Sequence, residues 1–181
     1  MKTHAHAIYF AGPYIFRPDA TQIIGTMRST CIKHGLSALI PTDNDIPPDM
    51  TPHEQADDIR AKNYDMVTRA DIVIAEISPL RGPNMDPGTA AEIGYAHALK
   101  KTVLLWTHDT RTLCQRVTSL SQTTQTPTGL REKDTGLLVE NFDLTENLMI
   151  TAPQAHTGPI YNTPTEAIEA AAHLLTDLRA S

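Results

Sequence analysis

Short apolar runs alternate with longer segments of helical periodicity along this chain. Ala7–Ala11 predicts a first strand, and Gly12 and Pro13 follow it at once with a turn. Residues Thr21–His34 then place their apolar side chains on one helical stripe, and Leu36–Ile40 predicts a second strand. This alternation is typical of βαβ units, in which helices connect parallel strands.

The middle of the chain repeats the pattern with clearer boundaries. Thr51, Pro52 and Glu54 have the spacing of a capping box, so a helix is predicted to begin there. Asp71–Ile77 is rich in β-branched residues and predicts a buried strand. A turn-rich loop, a helix and a fourth strand are predicted at Ser78–Asp86, Pro87–Lys100 and Thr102–Trp106.

The last third of the chain is less regular. Between His108 and Thr135 it is rich in Thr, Ser, Gln and Arg, and we expect an excursion or flexible loop there. Leu137–Phe142 and Asn147–Thr151 regain apolar character. A second capping box, from Thr163 to Glu166, predicts a further helix with an apolar inner face.

These elements predict one α/β domain over residues 1–181. Its architecture would be a doubly wound, flavodoxin-like sandwich with a mostly parallel sheet of about five strands. The polar excursion around residues 108–135 would interrupt this domain without forming a second one. A length of 181 residues fits that interpretation, because single domains commonly have about 100–200 residues.

Composition excludes several classes of protein. Hydrophobic residues make up 40% of the chain, enough for a core, so a disordered chain is not expected. The 21 acidic and 15 basic residues give a net charge of −6, which argues against a nucleic-acid partner. With no apolar run of roughly 20 residues and no signal-peptide pattern, we expect a soluble, cytoplasmic protein without a membrane partner. The two cysteines lack metal-ligand spacing and predict neither a disulfide scaffold nor a metal site.

Candidate chemistry is sought beyond the carboxyl ends of the strands, where open parallel sheets bind their ligands. Glu92 is the strongest candidate, because the helix predicted from Pro87 surrounds its carboxylate with Ala, Gly and Ile residues. Small neighbours such as Gly88 leave room for a ligand, and poor solvation raises the pKa of a carboxylate. The alternative is that Glu92 is an ordinary solvent-facing helix residue.

Four other polar residues accompany Glu92, and each has a structural alternative. Asp86 is a natural N-cap, yet its spacing from Glu92 lets both carboxylates point into one pocket, which suits chemistry at a sugar anomeric carbon. Asn63 falls on the buried stripe of its helix, where its amide needs a hydrogen-bond partner. Tyr9 is explained equally well as a core aromatic residue, and Asp71 as a turn acceptor next to the site.

Three groups of motifs, spread along the chain, together cover about half of it. They are Ile8–Pro13, then Ala70–Ile77 with Arg81-Gly82 and Asp86–Gly94, and finally Glu140–Asp143 with Glu146–Ile150. The first resembles the N-terminal signature of the nucleoside 2-deoxyribosyltransferase family. The second resembles that family's core motif around its nucleophile, and the third its late motif Asn-Leu-Met.

This resemblance implies a role for each candidate residue. Glu92 takes the place of the glutamate that attacks C1′ of a 2′-deoxynucleoside, Tyr9 would orient that carboxylate, and Asp86 would hydrogen-bond the sugar hydroxyls. Asn147 and Met149 would come from a neighbouring subunit, so a homo-oligomer with shared active sites is expected. The substrate-binding residues implied are Gly12, Pro13, Asn63, Asp71, Gly88, Asn147 and Met149.

The activity implied is exchange of nucleobases on 2-deoxyribose, with 2′-deoxynucleosides and free nucleobases as partners, in nucleoside salvage. It would proceed through a covalent deoxyribosyl-glutamate with net retention and would need no cofactor or metal. Some members of the family carry an aspartate where this chain places Asn63. The acid that protonates the leaving base therefore stays open between Asp71, Asp65 and water.

Two other functions are compatible with the same residues. A nucleoside or nucleotide N-glycosidase would share the fold and the glutamate but pass the sugar to water. A non-catalytic nucleoside-binding domain would keep the pocket and need no reactive Glu92. The loop after the first strand has Arg17 but no backbone-rich phosphate cradle, which favours unphosphorylated substrates.

Overall fold

A five-stranded parallel sheet forms the centre of the fold. The computed structural model describes residues 5–153, 156 and 158–180. In this part of the chain the strands are β1 Ala7–Ala11, β2 Ser37–Leu39, β3 Ile72–Glu76, β4 Thr102–Trp106, β5 Thr123–Thr126, β6 Gly129–Glu132 and β7 Ile160–Tyr161. The α-helices are α1 Ala20–Lys33, α2 Pro52–Arg69, α3 Pro87–Ala98, α4 Leu113–Leu120, α5 Leu148–Thr151 and α6 Pro164–Ala180.

The central sheet has the strand order β2-β1-β3-β4-β7, with every pair parallel. This is the order of a flavodoxin-like doubly wound sheet, so the predicted fold class is confirmed. The predicted strands β1 and β4 have the predicted bounds, and the ends of the others differ by one or two residues. Such small differences arise because terminal residues of an element lose part of its hydrogen bonding.

Two helical layers cover the two faces of the sheet. Phe10 and Ile74 point to the layer of α1 and α6, and Tyr9 and Val73 point to the layer of α2 and α3. The strands are thus apolar on both sides, as expected for a buried parallel sheet. No helix among the described residues has the length and apolar character needed to cross a bilayer.

Residues 108–135 were expected to form an excursion or a flexible loop, and of these two alternatives the flexible loop is wrong. This span contains α4 and an antiparallel hairpin of β5 and β6. The hairpin turns at Pro127 and Thr128, and Gly129, which begins β6, has a φ of +124°. Thr112 and Gln115 form a capping box that starts α4. The hairpin escaped prediction because its strands consist mainly of polar residues that share no apolar face.

Candidate active site

A cavity of about 620 Å³ lies beyond the carboxyl ends of β1 and β3, next to the first turns of α3. Parallel sheets of this order bind ligands at that edge. Its polar lining comes from Arg60, Asn63, Asp86, Thr89 and Glu92. Its remaining lining is apolar or small and consists of Gly12, Ile15, Phe16, Pro41, Ala56, Ile59, Tyr64, Gly88 and Ala91.

Asp86 fixes the start of α3 and therefore the position of Glu92. Its Oδ2 accepts hydrogen bonds from the Thr89 amide (2.8 Å) and the Thr89 hydroxyl (3.0 Å). Pro87 stands at N1, where a missing N–H costs no hydrogen bond. Asp86 thus caps the helix with one oxygen and also lines the cavity. The sequence had suggested both positions, at the N-cap and in the pocket of Glu92.

The Glu92 carboxylate is held through one of its two oxygens. Oε1 accepts hydrogen bonds from the Tyr9 hydroxyl at 2.7 Å and from Asn63 Nδ2 at 3.2 Å. Asn63 is in turn fixed by Asn44, whose Nδ2 donates to Asn63 Oδ1 at 3.0 Å. No donor within the described part of the chain bonds Oε2, so this oxygen is available to a ligand in the cavity.

Burial raises the pKa of Glu92 to about 7, the largest influence being desolvation of the carboxylate. The hydrogen bonds from Tyr9 and Asn63 oppose this rise, and the charge of Asp86 adds to it. Burial also raises the pKa of Tyr9 well above its usual value, so its hydroxyl stays a proton donor toward Glu92. Glu92 is therefore half-buried and oriented, which excludes the alternative of a simple solvent-facing residue.

Gly12 and Gly88 both line the cavity, as predicted for residues that leave room for a ligand. A Cβ at Gly88 would lie 3.0 Å from Asp86 Oδ2, and one at Gly12 would lie 2.8 Å from the Cβ of Glu76. At both positions glycine keeps the backbone close to a carboxylate-bearing residue. Substitution at Gly12 would also be strained by its φ of +157°.

The rim of the cavity contains residues that were not predicted. Arg60 stacks over the Tyr64 ring with 4.8 Å between its Cζ and the ring centroid, and Phe16 is 62% exposed at the rim. Ile59, Arg60 and Asn63 share one face of α2, because residues three and four apart are neighbours on a helix. Because Arg60 lies three positions before Asn63 on this helix, the sequence could have predicted that both residues line the same cavity.

Two predicted binding residues lie elsewhere and are corrections. Asp71 precedes β3 at the opposite edge of the sheet, where its Oδ2 accepts a hydrogen bond from the Ala7 amide at 2.8 Å. That carboxylate connects the starts of β1 and β3. Asp71 therefore acts as a structural hydrogen-bond acceptor, which was the alternative considered from the sequence. Pro13 is buried and lines a separate crevice with Glu76, because the turn after β1 carries it past the cavity.

Neither aspartate considered as the general acid reaches the cavity. Asp71 is at the far edge of the sheet, and Asp65 is exposed on α2, where it pairs with Arg69 at 2.7 Å.

Asn147 and Met149 lie outside the Glu92 cavity of their own chain. They line a separate depression with Met85, Ala90 and Gly94, among others. The Asn147 side chain caps α5 by accepting from the Met149 amide at 3.0 Å, and the Met149 side chain is 72% exposed. Their place is compatible with a contribution to the site of a second subunit.

A buried ion pair that sequence inspection missed supports this region. Arg116 and Glu146 are each 1% exposed, and Nη2 of Arg116 lies 2.9 Å from Oε2 of Glu146. The same Oε2 accepts from the Met85 amide at 3.1 Å, and Oε1 accepts from the Asn147 amide at 3.1 Å. The pair therefore joins α4 to the loop before α3 and to the start of α5.

No group of three or more potential metal ligands occurs among the described residues. The polar groups in and next to the cavity include the Glu92 and Asp86 carboxylates, the Tyr9 hydroxyl and the Asn63 amide.

The chain is similar to several known proteins. A family model described as nucleoside 2-deoxyribosyltransferase matches residues 8–149. A solved structure of a 2-deoxyribosyltransferase from Leishmania mexicana is 32% identical, with a TM-score of 0.73, over 93% of this chain and 97% of that one. An uncharacterized protein of Schizosaccharomyces pombe is 28% identical in an alignment of 155 positions that covers 78% of this chain and 74% of that protein. A conserved protein from Enterococcus faecalis, 19% identical over 92% and 99% of the two chains, shares the fold with a TM-score of 0.59.

Proposed function

Because the chain belongs to the nucleoside 2-deoxyribosyltransferase family, we propose that it transfers the 2-deoxyribosyl group from a 2′-deoxynucleoside to a free nucleobase. The observation that carries this proposal is the asymmetric Glu92 carboxylate. Tyr9 and Asn63 hold Oε1, while Oε2 has no donor among the described residues and is available to a sugar in the cavity. A buried and oriented oxygen of this kind suits a nucleophile.

In the first half of the reaction, Glu92 Oε2 attacks C1′ of the bound deoxynucleoside. A C1′–O bond forms, the C1′–N bond breaks, and its electron pair leaves with the base. The absence of a 2′-hydroxyl makes positive charge at C1′ easier to form, and the carboxylate stabilises that charge. Asp86 Oδ1, the oxygen that does not cap α3, is available to hydrogen-bond a sugar hydroxyl.

In the second half, a nitrogen of the incoming base attacks C1′ and displaces Glu92 as a carboxylate. Two inversions give net retention at C1′. We assign the proton that the departing base requires to water, because Asn63 has no titratable proton and the two aspartates considered from the sequence, Asp71 and Asp65, lie away from the cavity. An active site open to solvent supplies that water.

Asn147 and Met149 would complete the sugar pocket of a second subunit. Three features support shared sites: the distance of these residues from their own cavity, the exposure of Met149, and the exposed apolar side chains of Leu138 and Phe142 nearby in the chain. Exposed apolar groups of this kind are common in subunit interfaces. The assembly proposed is therefore a homo-oligomer, and its role is nucleoside salvage.

The test mixes the protein with 2′-deoxyinosine and adenine and measures 2′-deoxyadenosine by chromatography, with thymidine as a second donor. We expect new deoxynucleoside from the wild type and none from Glu92→Ala. Incubation with donor alone, followed by acid quenching, should add the mass of one 2-deoxyribosyl group to the wild type only.

Two outcomes would overturn the proposal. Free base without new deoxynucleoside would show hydrolysis instead of transfer. Binding of deoxynucleoside without turnover on any donor would show a nucleoside-binding domain.

A further inference from the structure

Arg60 is the one cationic side chain among the described residues that line the Glu92 cavity. It makes no hydrogen bond and no ion pair within the described part of the chain, and neither carboxylate of the cavity is bonded to it. A guanidinium stays charged at every pH at which proteins are folded, and each of its N–H groups is a donor. The cavity therefore contains a permanent positive charge that nothing in the proposed reaction has yet used.

The guanidinium of Arg60 has a defined support although its residue is exposed. Its Cζ lies 4.8 Å from the centroid of the Tyr64 ring, within the range of a cation–π contact. Tyr64 packs in turn on Tyr95 of α3, with 4.5 Å between the two ring centroids. Contact with the face of a ring leaves the N–H groups of a guanidinium available for hydrogen bonds. Arg60 is thus held beside the cavity with its donors open to a ligand.

Arg60 stands on the side of the cavity that the base of a bound deoxynucleoside would occupy. It lies one helical turn before Asn63, whose amide is bonded to Glu92 at 3.2 Å. One turn corresponds to about 5 Å along a helix. In the proposed reaction the sugar lies against Glu92 and Asp86, and attack from Glu92 places the base on the opposite side of C1′. The lining outside α3 and its cap comes from α2, Pro41 and the turn after β1, so the base meets the face of α2 that carries Arg60.

The departing base needs a group of this kind. When the C1′–N bond breaks, its electron pair goes to a nitrogen of the base, and negative charge develops on the ring. Asn63 has no proton to give, and the charge of Asp86 repels the charge on the base. A fixed positive charge at the place where negative charge develops stabilises the transition state more than the bound substrate.

We propose that Arg60 is a further catalytic residue, whose guanidinium donates a hydrogen bond to the departing base and stabilises the negative charge that the base receives. This inference rests on the proposed function. Arg60 keeps all its protons, and the proton that neutralises the base comes from water. In the second half the incoming base gives its N–H proton to water while that nitrogen bonds C1′, and Arg60 stabilises the partly anionic ring in the same way.

The test compares two donors whose bases differ in acidity, 2′-deoxyadenosine and 6-chloropurine 2′-deoxyriboside. Chlorine withdraws electrons, so 6-chloropurine departs more readily as an anion and needs less help from Arg60. Hypoxanthine is the acceptor in both assays, and the common product, 2′-deoxyinosine, is measured by chromatography. In a two-step transfer the kcat/KM of the donor reports only the steps up to departure of its base, so the acceptor does not affect the comparison.

The main variant is Arg60→Met, which removes the charge and keeps a flexible side chain that can pack on Tyr64. We expect kcat/KM for 2′-deoxyadenosine to fall roughly ten- to a hundredfold, as for loss of a hydrogen bond from a charged group. The loss for 6-chloropurine 2′-deoxyriboside should be clearly smaller. Arg60→Lys, which keeps the charge, should recover part of the loss. The matched control is Arg69→Met on the same helix, which breaks an exposed pair with Asp65 and should leave both donors unaffected.

Three results would overturn the proposal. Activity of Arg60→Met equal to that of the wild type would show that Arg60 takes no part in the reaction. Equal losses on both donors, in a variant with the circular dichroism spectrum of the wild type, would show a role in the shape of the cavity. An Arg60→Lys variant no more active than Arg60→Met would show that the charge does not contribute.

Failure of the proposed function gives a different result. If the wild type releases free base without forming 2′-deoxyinosine, the transfer proposal fails. The same comparison of donors, measured as free base, then still decides the role of Arg60. A wild type that turns over neither donor would overturn both proposals.

Discussion

The two oxygens of the Glu92 carboxylate have different surroundings, and this difference defines the site at the scale of a residue. Oε1 is bound by Tyr9 and Asn63, which fix its direction. Oε2 is kept free of donors, at the cost of poor solvation. Both the proposed reactivity of Glu92 and its raised pKa follow from this arrangement.

The raised pKa predicts that Glu92→Gln stabilises the protein at alkaline pH. The folded state holds the Glu92 proton up to about pH 7, whereas the unfolded chain loses it near 4.5. Glu92 therefore destabilises the fold increasingly as the pH rises from 4.5 to about 7, and by a constant amount above that. Glutamine keeps an acceptor for Tyr9 and Asn63. At pH 8 we expect a gain of about 2–3 kcal/mol and a rise in Tm of roughly 5–10 °C, measured by calorimetry.

The same comparison at pH 4.5 is the control. There the carboxyl is neutral in the folded state, and the two proteins should differ by less than about 1 kcal/mol. An equal gain at both pH values would show that the effect does not come from ionisation of Glu92.

Asn63→Asp should move the pH dependence of catalysis. At present the Asn63 amide donates to Glu92 and lowers its pKa, whereas an aspartate would place a like charge 3.2 Å away. Because the nucleophile must be ionised, the rising limb of kcat/KM, expected near pH 7 in the wild type, should move up by about one pH unit or more.

The matched variant is Asn63→Leu, which removes the donor without adding charge and should move the limb by less. A limb that stays in place in both variants would mean that Glu92 does not control it. Stopped assays over pH 5–9 with 2′-deoxyinosine and adenine provide the measurement.

At this scale the sequence pointed to Glu92, the proposed nucleophile, but not to all of the residues that surround it. Glu92, Asp86 and Asn63 were found because polar residues stood among small or apolar ones at helical spacing. Asp71 was assigned wrongly, since sequence shows that a carboxylate begins a strand but not which edge of the sheet faces the ligand. Asn44 could not be found, because its contact with Asn63 depends on a loop conformation.

At the scale of secondary structure elements, the buried pair of Arg116 and Glu146 joins parts that the central sheet does not connect. It links α4 to Met85, the residue before the cap of α3, and to Asn147 at the start of α5. Breaking a buried pair is costly, because the partner left behind is an unpaired charge.

Arg116→Met should therefore destabilise the fold by about 3–5 kcal/mol, measured from denaturant midpoints. The control is Arg69→Met, which removes an exposed pair with Asp65 and should cost less than about 1 kcal/mol. Equal effects of the two substitutions would show that the buried pair contributes no more than a surface one.

The secondary structure elements that could be predicted are those with a clear capping or periodicity pattern in the sequence. Helices α2 and α6 were located by capping boxes, and β3 and β4 by apolar runs rich in branched residues. The hairpin of β5 and β6 has no apolar face, so neither the period nor the composition of its strands revealed it. Its neighbour α4 did carry a capping box at Thr112, a signal that the polar character of the span obscured.

At the scale of the whole molecule, the proposal that active sites are shared between subunits predicts that two inactive variants can complement each other. Glu92→Ala and Asn147→Ala should each be inactive alone, but mixing them should restore activity. In a mixed dimer the intact Glu92 of one subunit faces the intact Asn147 of the other, so one of its two sites is complete.

The measurement is base exchange after the two variants are unfolded and refolded together, or co-expressed with different tags and isolated as mixed oligomers. Mixtures of each variant with itself are the control. Mixed oligomers without activity would show that each subunit builds its site alone.

The position of α6 has a consequence for the order in which the fold can be completed. This helix packs on α1 and supplies Ala167, Ile168 and Ala171 to the core on one face of the sheet. During synthesis β1 and α1 emerge more than a hundred residues before α6 does. Until then the nascent chain exposes an apolar sheet face, so we expect loss of α6 to impair folding of the whole domain rather than of its C-terminal end alone.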